Sequence, residues 1–350
     1  MKTYFLHFIG LLLIFTSCNA DISIPVDSVS NSEIRINILN HGTKGGAYID
    51  EVEYETVVNS VQVLVFDESG VLCAYKNAGK TISDIIVTTT VGPKEIWAVV
   101  NGPDLSQVKD VYSLDEIDLR LDDQSITHSK GFPMTGHSRY IVGTSNGGEV
   151  MVSVSRLLSR IAFRSITNAT PVFYGEMEIL YAFLQNVVVN GSLSGFPFSQ
   201  TIWCNKSGRN NAGDILDGLT SVAEHPALTF AAINKSIFSG SVLEPGIPYL
   251  FYCYPNSVYE HSFNKEWCER KTALTVAARF KNIDNTIRYY TIVLPDMAEG
   301  ILMGNTTYTV DLTVTGLGQD DPCDSTVKKD SFAEIKIEPW IEGGIINEVM

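Results

Sequence analysis

Gly143-Thr144-Ser145-Asn146-Gly147 carries the G-x-S-x-G spacing of a nucleophile elbow, in which a serine on a strained strand-to-helix turn attacks an acyl carbon. That geometry needs a helix after the serine. Here Glu149-Val150-Met151-Val152 alternates like a strand, so the segment reads as a hairpin loop. The six histidines, His7, His41, His128, His137, His225 and His261, are scattered and form no H-E-x-x-H pair. Each reads as a surface or packing residue. Asp115, Glu116, Asp118, Asp122 and Asp123 lack the alternating oxygens and central glycine of a calcium loop, and read as a solvated face. Asp320, Asp321 and Asp324 read as a turn. Gly42-Thr43-Lys44-Gly45-Gly46 lacks the GK[ST] and the helix that a phosphate loop requires. No catalytic constellation remains, and no cofactor or metal is implied: the chain reads as a non-enzyme.

One residue does carry a definite chemistry, acylation of a thiol. An apolar run begins at Tyr4, behind Met1-Lys2, and ends in Leu11-Leu12-Leu13-Ile14-Phe15-Thr16-Ser17-Cys18. It is shorter than the roughly 20 residues that a membrane span needs. It fits a signal-peptide core, residues 1–17. Ser17 before Cys18 reads as a lipobox, with Cys18 lipidated and first in the mature chain. The alternative is an ordinary secretory peptide with a chance cysteine. Both readings take the chain out of the cytoplasm. The other cysteines, Cys73, Cys204, Cys253, Cys268 and Cys323, form no C-x-x-C pair and read mostly as buried thiols, with Cys253–Cys268 the best disulfide pairing. The five N-x-S/T triplets, at Asn168, Asn190, Asn205, Asn234 and Asn305, read as accidental beside a bacterial-style lipobox.

The elements around these residues are strands. Of 350 residues, 45% are hydrophobic and 19% charged, which is ordinary for a globular protein. A net charge of −15 argues against nucleic acid as a partner, since its phosphates require clustered cations. Residues 18–33 are polar and aperiodic and read as a tether. Then period-two alternation takes over: Ile34, Ile36 and Ile38, then Val61, Val63 and Val65, then Val150, Val152 and Val154. It returns in Leu274, Val276, Ala278 and Phe280, in Tyr308, Val310, Leu312 and Val314, and in Ile335 and Ile337. Strands of this length, split by Gly, Asn, Asp and Pro, predict an all-β sandwich architecture. Residues 105–117 and 212–219 predict two helices. No repeat of 20–50 residues stands out. The boundary between an N-terminal domain, 34–158, and a C-terminal domain, 159–340, is placed near Leu158.

Several segments carry a family likeness in a fixed order. Val61-Gln62-Val63-Leu64-Val65-Phe66-Asp67-Glu68-Ser69-Gly70 resembles a "v.vlvFd..G" strand and turn. Ile96-Trp97-Ala98-Val99-Val100-Asn101-Gly102-Pro103 resembles "i.avvN.p", and Phe132-Pro133-Met134-Thr135-Gly136 resembles "fpMsG". Residues 152–161 resemble "v.v.RlvaRi", with Arg156 and Arg160 at the basic positions, and Leu184-Gln185-Asn186-Val187 resembles "l.NV". Phe251-Tyr252-Cys253-Tyr254-Pro255-Asn256 resembles "fYvyPN". Residues 335–340, ending in Trp340, resemble the last core strand. Together these segments resemble the fimbrillin family, the subunits of the type V pilus.

The resemblance implies two transthyretin-like β-sandwich domains with a few short helices. It also implies a lipidated precursor at the outer membrane, cut by a trypsin-like protease that removes the first strand. The vacated groove then accepts a strand from a neighbouring subunit, most often its C-terminal tail. Matched to this chain, the removable strand is residues 34–39, with Ile34, Ile36 and Ile38, and the cut follows Lys44; Arg35 is the competing site but lies within the strand. The tail, residues 341–350, is the candidate donor, presenting Ile341, Ile345 and Val349 on one face. Implied partners are other fimbrial subunits, the maturation protease, the outer membrane through the lipid, and a host or bacterial surface receptor. Anchor and tip roles stay open. A different class of reading is a surface lipoprotein that binds glycan through Trp203, Trp267 and Tyr259.

Overall fold

In a computed structural model of the chain, residues 30–40, 53–121, 131–145, 147–195, 201–207, 226–258, 269–294, 301–323 and 330–340 are described. The first half holds β1 (Asn31–Asn40), α1 (Glu53–Thr56), β2 (Val61–Asp67), β3 (Leu72–Gly79), β4 (Ile85–Thr90), β5 (Gly92–Val100), β6 (Leu119–Arg120), β7 (Met134–Val142) and β8 (Gly148–Arg156). The second holds β9 (Ser159–Asn168), β10 (Met177–Gln185), β11 (Val187–Val188), β12 (Asn190–Gly191), β13 (Trp203–Cys204), α2 (Pro226–Thr229), β14 (Phe230–Ile237), β15 (Val242–Leu243), β16 (Tyr249–Cys253), β17 (Ala273–Phe280), β18 (Ile287–Val293), β19 (Thr306–Val314) and β20 (Ser331–Pro339). The chain is all-β, with two sandwiches in tandem.

In the first sandwich the strand order is β3-β2-β5-β7-β8-β1-β4. β7 and β8 pair only at Met134↔Arg156 and Thr135↔Ser155, and the sheet turns a corner there. A Cβ at Gly136 would collide with the Ser153 carbonyl, so only glycine lets the two strands come this close. The layer β4-β1-β8 therefore lies over β3-β2-β5-β7. Between them Ile34, Ile36, Ile85, Val87, Val150 and Val152 meet Val61, Val63, Val65, Ile96 and Ala98 in one buried cluster. β2 is apolar on both faces because Leu64 and Phe66 point the other way, under Leu105, Leu114 and Leu119.

That cover is where the sequence expectation fails. Residues 105–117 form no α-helix; they hold one 3-10 turn, Val111–Leu114. Asp104 accepts from the Ser106 amide, Asp110 from the Ser113 amide, and the Leu105 amide donates to Gln62 Oε1. These side chains satisfy the backbone locally and compete with helix. Residues 212–219 lie outside the described residues. β1 begins at Asn31, so residues 31–33, read as tether, belong to the strand. Gly143 and Gly147 lie in the connection from β7 to strand β8, with no helix following.

The second sandwich repeats the topology of the first. Its layers run β16-β9-β19-β20 and β14-β10-β17-β18. β9 runs parallel to β19 and antiparallel to β16, just as β1 runs parallel to β8 and antiparallel to β4. β2, β3, β5, β7 and β8 thus correspond to β10, β14, β17, β18 and β19. β20, on the outer edge of β19, has no counterpart in the first half.

Candidate functional site

β1 sits in the middle of its layer and is paired along both edges. Ile34 faces Val87 of β4 and Gly148 of β8; Ile36 faces Ile85 and Val150; Ile38 faces Val152. The three isoleucines are 2%, 0% and 7% exposed. Burying each is worth roughly 1.5–3 kcal/mol, so the set contributes about 5–9 kcal/mol. That is comparable with the whole net stability of a domain, roughly 5–15 kcal/mol. On the outer face Asn37 Nδ2 donates to Glu149 Oε1 at 2.7 Å, and Arg35 pairs with Asp84 at 3.3 Å in the open. Removing β1 would bare an apolar groove and leave the facing edges of β4 and β8 unpaired.

The chain on the far side of residues 41–52 is held by other means. Glu55 of α1 is wholly buried. Its Oε2 accepts from Arg160 at 2.9 Å and its Oε1 from the Tyr252 hydroxyl at 2.6 Å, while Arg156 donates to its carbonyl at 2.8 Å. Burial pushes the Tyr252 phenol well above its usual range, and the Glu55 charge pushes it further. The Tyr54 and Tyr252 hydroxyls lie 2.9 Å apart. Asn101, in the left-handed conformation at φ 54°, accepts from the Asn59 amide at 2.8 Å and donates to the Val57 and Phe132 carbonyls. None of these bonds involves β1.

Trp340 completes this waist between the sandwiches. It is 1% exposed, stacked on Tyr252 at 5.6 Å, with the Arg156 and Arg160 guanidinium carbons 4.4 and 5.1 Å from its ring centre. Its amide donates to the Asn305 carbonyl at 2.7 Å. The residues at the sequence's basic positions are thus a buried clasp. Arg160→Ala is expected to cost about 3–5 kcal/mol in chemical denaturation, because it strands the Glu55 carboxylate. A loss under about 1 kcal/mol, the level of a surface pair, would remove the clasp from the account.

Cys18, Lys44, Ile341, Ile345 and Val349 lie outside the described residues, as do Cys268, Trp267 and Tyr259. Trp203 packs against the core. Cys253 is buried and free, and burial raises its thiol far above the usual range. Asn168, Asn190 and Asn205 are buried. His137 stacks on Trp97 with its Nδ1 3.0 Å from Glu95. Among the described residues, no group of three His, Cys, Asp or Glu is placed to hold a metal ion. Glu55 had no signal in the sequence.

Residues 32–170 match the model of a family described as the major fimbrial subunit protein (FimA). No curated protein matches the sequence. Among solved structures, the fold is similar to that of a candidate cell adhesion protein from Parabacteroides distasonis ATCC 8503, at TM-score 0.62 and 14% identity, covering 90% of this chain and 99% of that one. It is also similar to a fimbrilin (fimA) from Porphyromonas gingivalis W83, at 0.60 and 12%, covering 89% and 98%. The tip fimbrial protein Mfa3 from Porphyromonas gingivalis with C-terminal truncation follows at 0.51 and 13%, covering 89% and 100%. At these identities the likeness establishes the fold.

Proposed function

We propose, from the match of residues 32–170 to the model of the fimbrial subunit family, that the chain is a structural subunit of a cell-surface fimbria. It is exported as a lipoprotein on Cys18, reaches the outer membrane, is cut after Lys44, and polymerises by donor-strand exchange in support of adhesion. The observation that carries the reading is β1: a central strand with its own apolar face, joined through the segment that contains Lys44 to a chain clamped independently of it. Such a strand can leave without dismantling the waist. What it leaves, an apolar groove between two open strand edges, is what an extended donor segment satisfies.

The tail fits the groove imperfectly. β1 offers an isoleucine at every second residue. On the corresponding tail face Ile341, Ile345 and Val349 alternate with Gly343 and Asn347. The tail fills alternate positions and so cannot displace an intact β1, which makes the cut a precondition. The role is structural and uses no catalytic group.

The test is mass spectrometry of two fractions. Sheared surface fibres should contain subunits beginning at Gly45, and the uncut precursor should carry a fatty-acyl label that Cys18→Ala abolishes. Fibres that retain residues 34–39 would turn the reading toward a non-polymerising anchor subunit.

A further inference from the structure

We infer that a cleft at the outer end of the first sandwich binds a neutral oligosaccharide. It lies between the 3-10 turn, Val111–Leu114, and the ends of β5 and β7, and measures about 940 Å³. Small-ligand sites span roughly 300–1,000 Å³, so there is room for several sugar rings. The cleft is at the end remote from the waist, because β5 and β7 place Gly92 beside Val142 there and Val100 beside Met134 at the other end.

Its wall is held in place. The Val111 amide donates to the Gly70 carbonyl at 2.9 Å, and Asp110 caps the turn at the Ser113 amide. The Tyr112 ring rests one edge on Gly70, where a Cβ would come 3.4 Å from its Cε2. The rest of that ring is open, 71% exposed, and Ile141, which also lines the cleft, is 74% exposed. An exposed ring on a pinned turn is a platform for the C–H face of a pyranose.

The polar groups around it are of both kinds and under-used. Arg139 stands opposite Glu95 on the neighbouring strand, yet among the described residues its guanidinium makes no hydrogen bond or ion pair. Glu95 turns instead to the Trp97 indole and to His137 Nδ1, each 3.0 Å from its Oε1, which leaves Oε2 to accept. Lys94 is 6% exposed, and its Nζ reaches the Val91 carbonyl at 3.5 Å, the long limit of a hydrogen bond. Sugar hydroxyls both donate and accept, and so match a mixed set. Charge selects against an acidic ligand: Asp67, Glu68 and Glu95 line the cleft against Lys94 and Arg139.

The inference rests on the reading of the chain as an adhesive surface subunit and names the class of ligand. The probes are neutral trisaccharides of mannose, galactose and N-acetylglucosamine, titrated by calorimetry into the uncut full-length chain. At least one should bind with a Kd of about 1 mM or tighter. Tyr112→Ala should weaken it about tenfold or more, and Tyr112→Phe should keep it, because the ring and not the hydroxyl is used. Arg139→Ala should also weaken it, and the denaturation midpoints of these variants should stay unchanged, since both side chains are exposed. No binding by any of the three sugars, equal binding by Tyr112→Ala, or tighter binding of a sialylated trisaccharide overturns the inference. Neither cleavage nor assembly enters the measurement. Normal fibres from a chain that binds no sugar sink this inference alone, and sugar binding by a chain that never polymerises sinks the fimbrial reading alone.

Discussion

A chain lacking residues 345–350 is expected to fold as the full chain does and to form no fibres. The folding half follows from where the stabilising groups lie. The clasp of Glu55, Arg156, Arg160, Tyr252 and Trp340 is complete at residue 340, and among the described residues the two buried clusters are built from strands that precede the tail. The assembly half follows from the groove. With β1 gone, burial worth about 5–9 kcal/mol must be replaced, and an unfilled groove leaves both strand edges open. As the proposed donor the tail would replace only part of it, so losing Ile345 and Val349 would remove most of what it offers. Ile345→Asp should act similarly, since a carboxylate buried without a partner is costly. Electron microscopy of cleaved protein gives the readout. Fibres of normal length from the truncated chain would assign the donor strand to another segment.

Ile36→Ala should destabilise the precursor by about 2–5 kcal/mol and leave the assembled fibre unchanged. Ile36 is wholly buried at the centre of β1, where truncation to alanine opens a cavity that β4 and β8 cannot collapse to fill. On the proposed maturation the fibre would be indifferent, because excision would discard the altered residue. Denaturation of the uncut protein and thermal dissociation of fibres from the same strain make the comparison. Equal loss in both would mean that β1 stays in the assembled subunit.

The buried strand β1 was legible in the sequence because a strand with one buried face writes its burial in period two, and Ile34, Ile36 and Ile38 do so openly. The waist was not. Arg156, Arg160 and Trp340 stood out only as positions in a family pattern, since nothing local says that a cation will stack on an indole brought in by the last strand. Glu55 was silent: a glutamate in a polar stretch ordinarily faces water, and only the tertiary contact with Arg160 and Tyr252 buries it. The helix expected over residues 105–117 failed because Asp104, Asp110 and Gln62 hold that backbone by side-chain bonds. The repeat escaped because it lives in strand order and direction, which no residue spacing records.

If the tail is the donor strand, as proposed, the position of Trp340 constrains the fibre's dimensions. β20 runs from the far end of the second sandwich, where Ser331 faces Val314, back to the waist, where Pro339 faces Thr306. The tail therefore starts at mid-length of the subunit. Its ten residues reach no more than about 35 Å fully extended. The nine-residue β20 measures roughly 30 Å, so a tail sent around the far end would be spent before entering a groove. On that reading, while β20 stays on β19, successive subunits would overlap flank to flank, with an axial rise well short of one subunit length. A measured rise equal to the full subunit would mean that the last strand unzips during assembly.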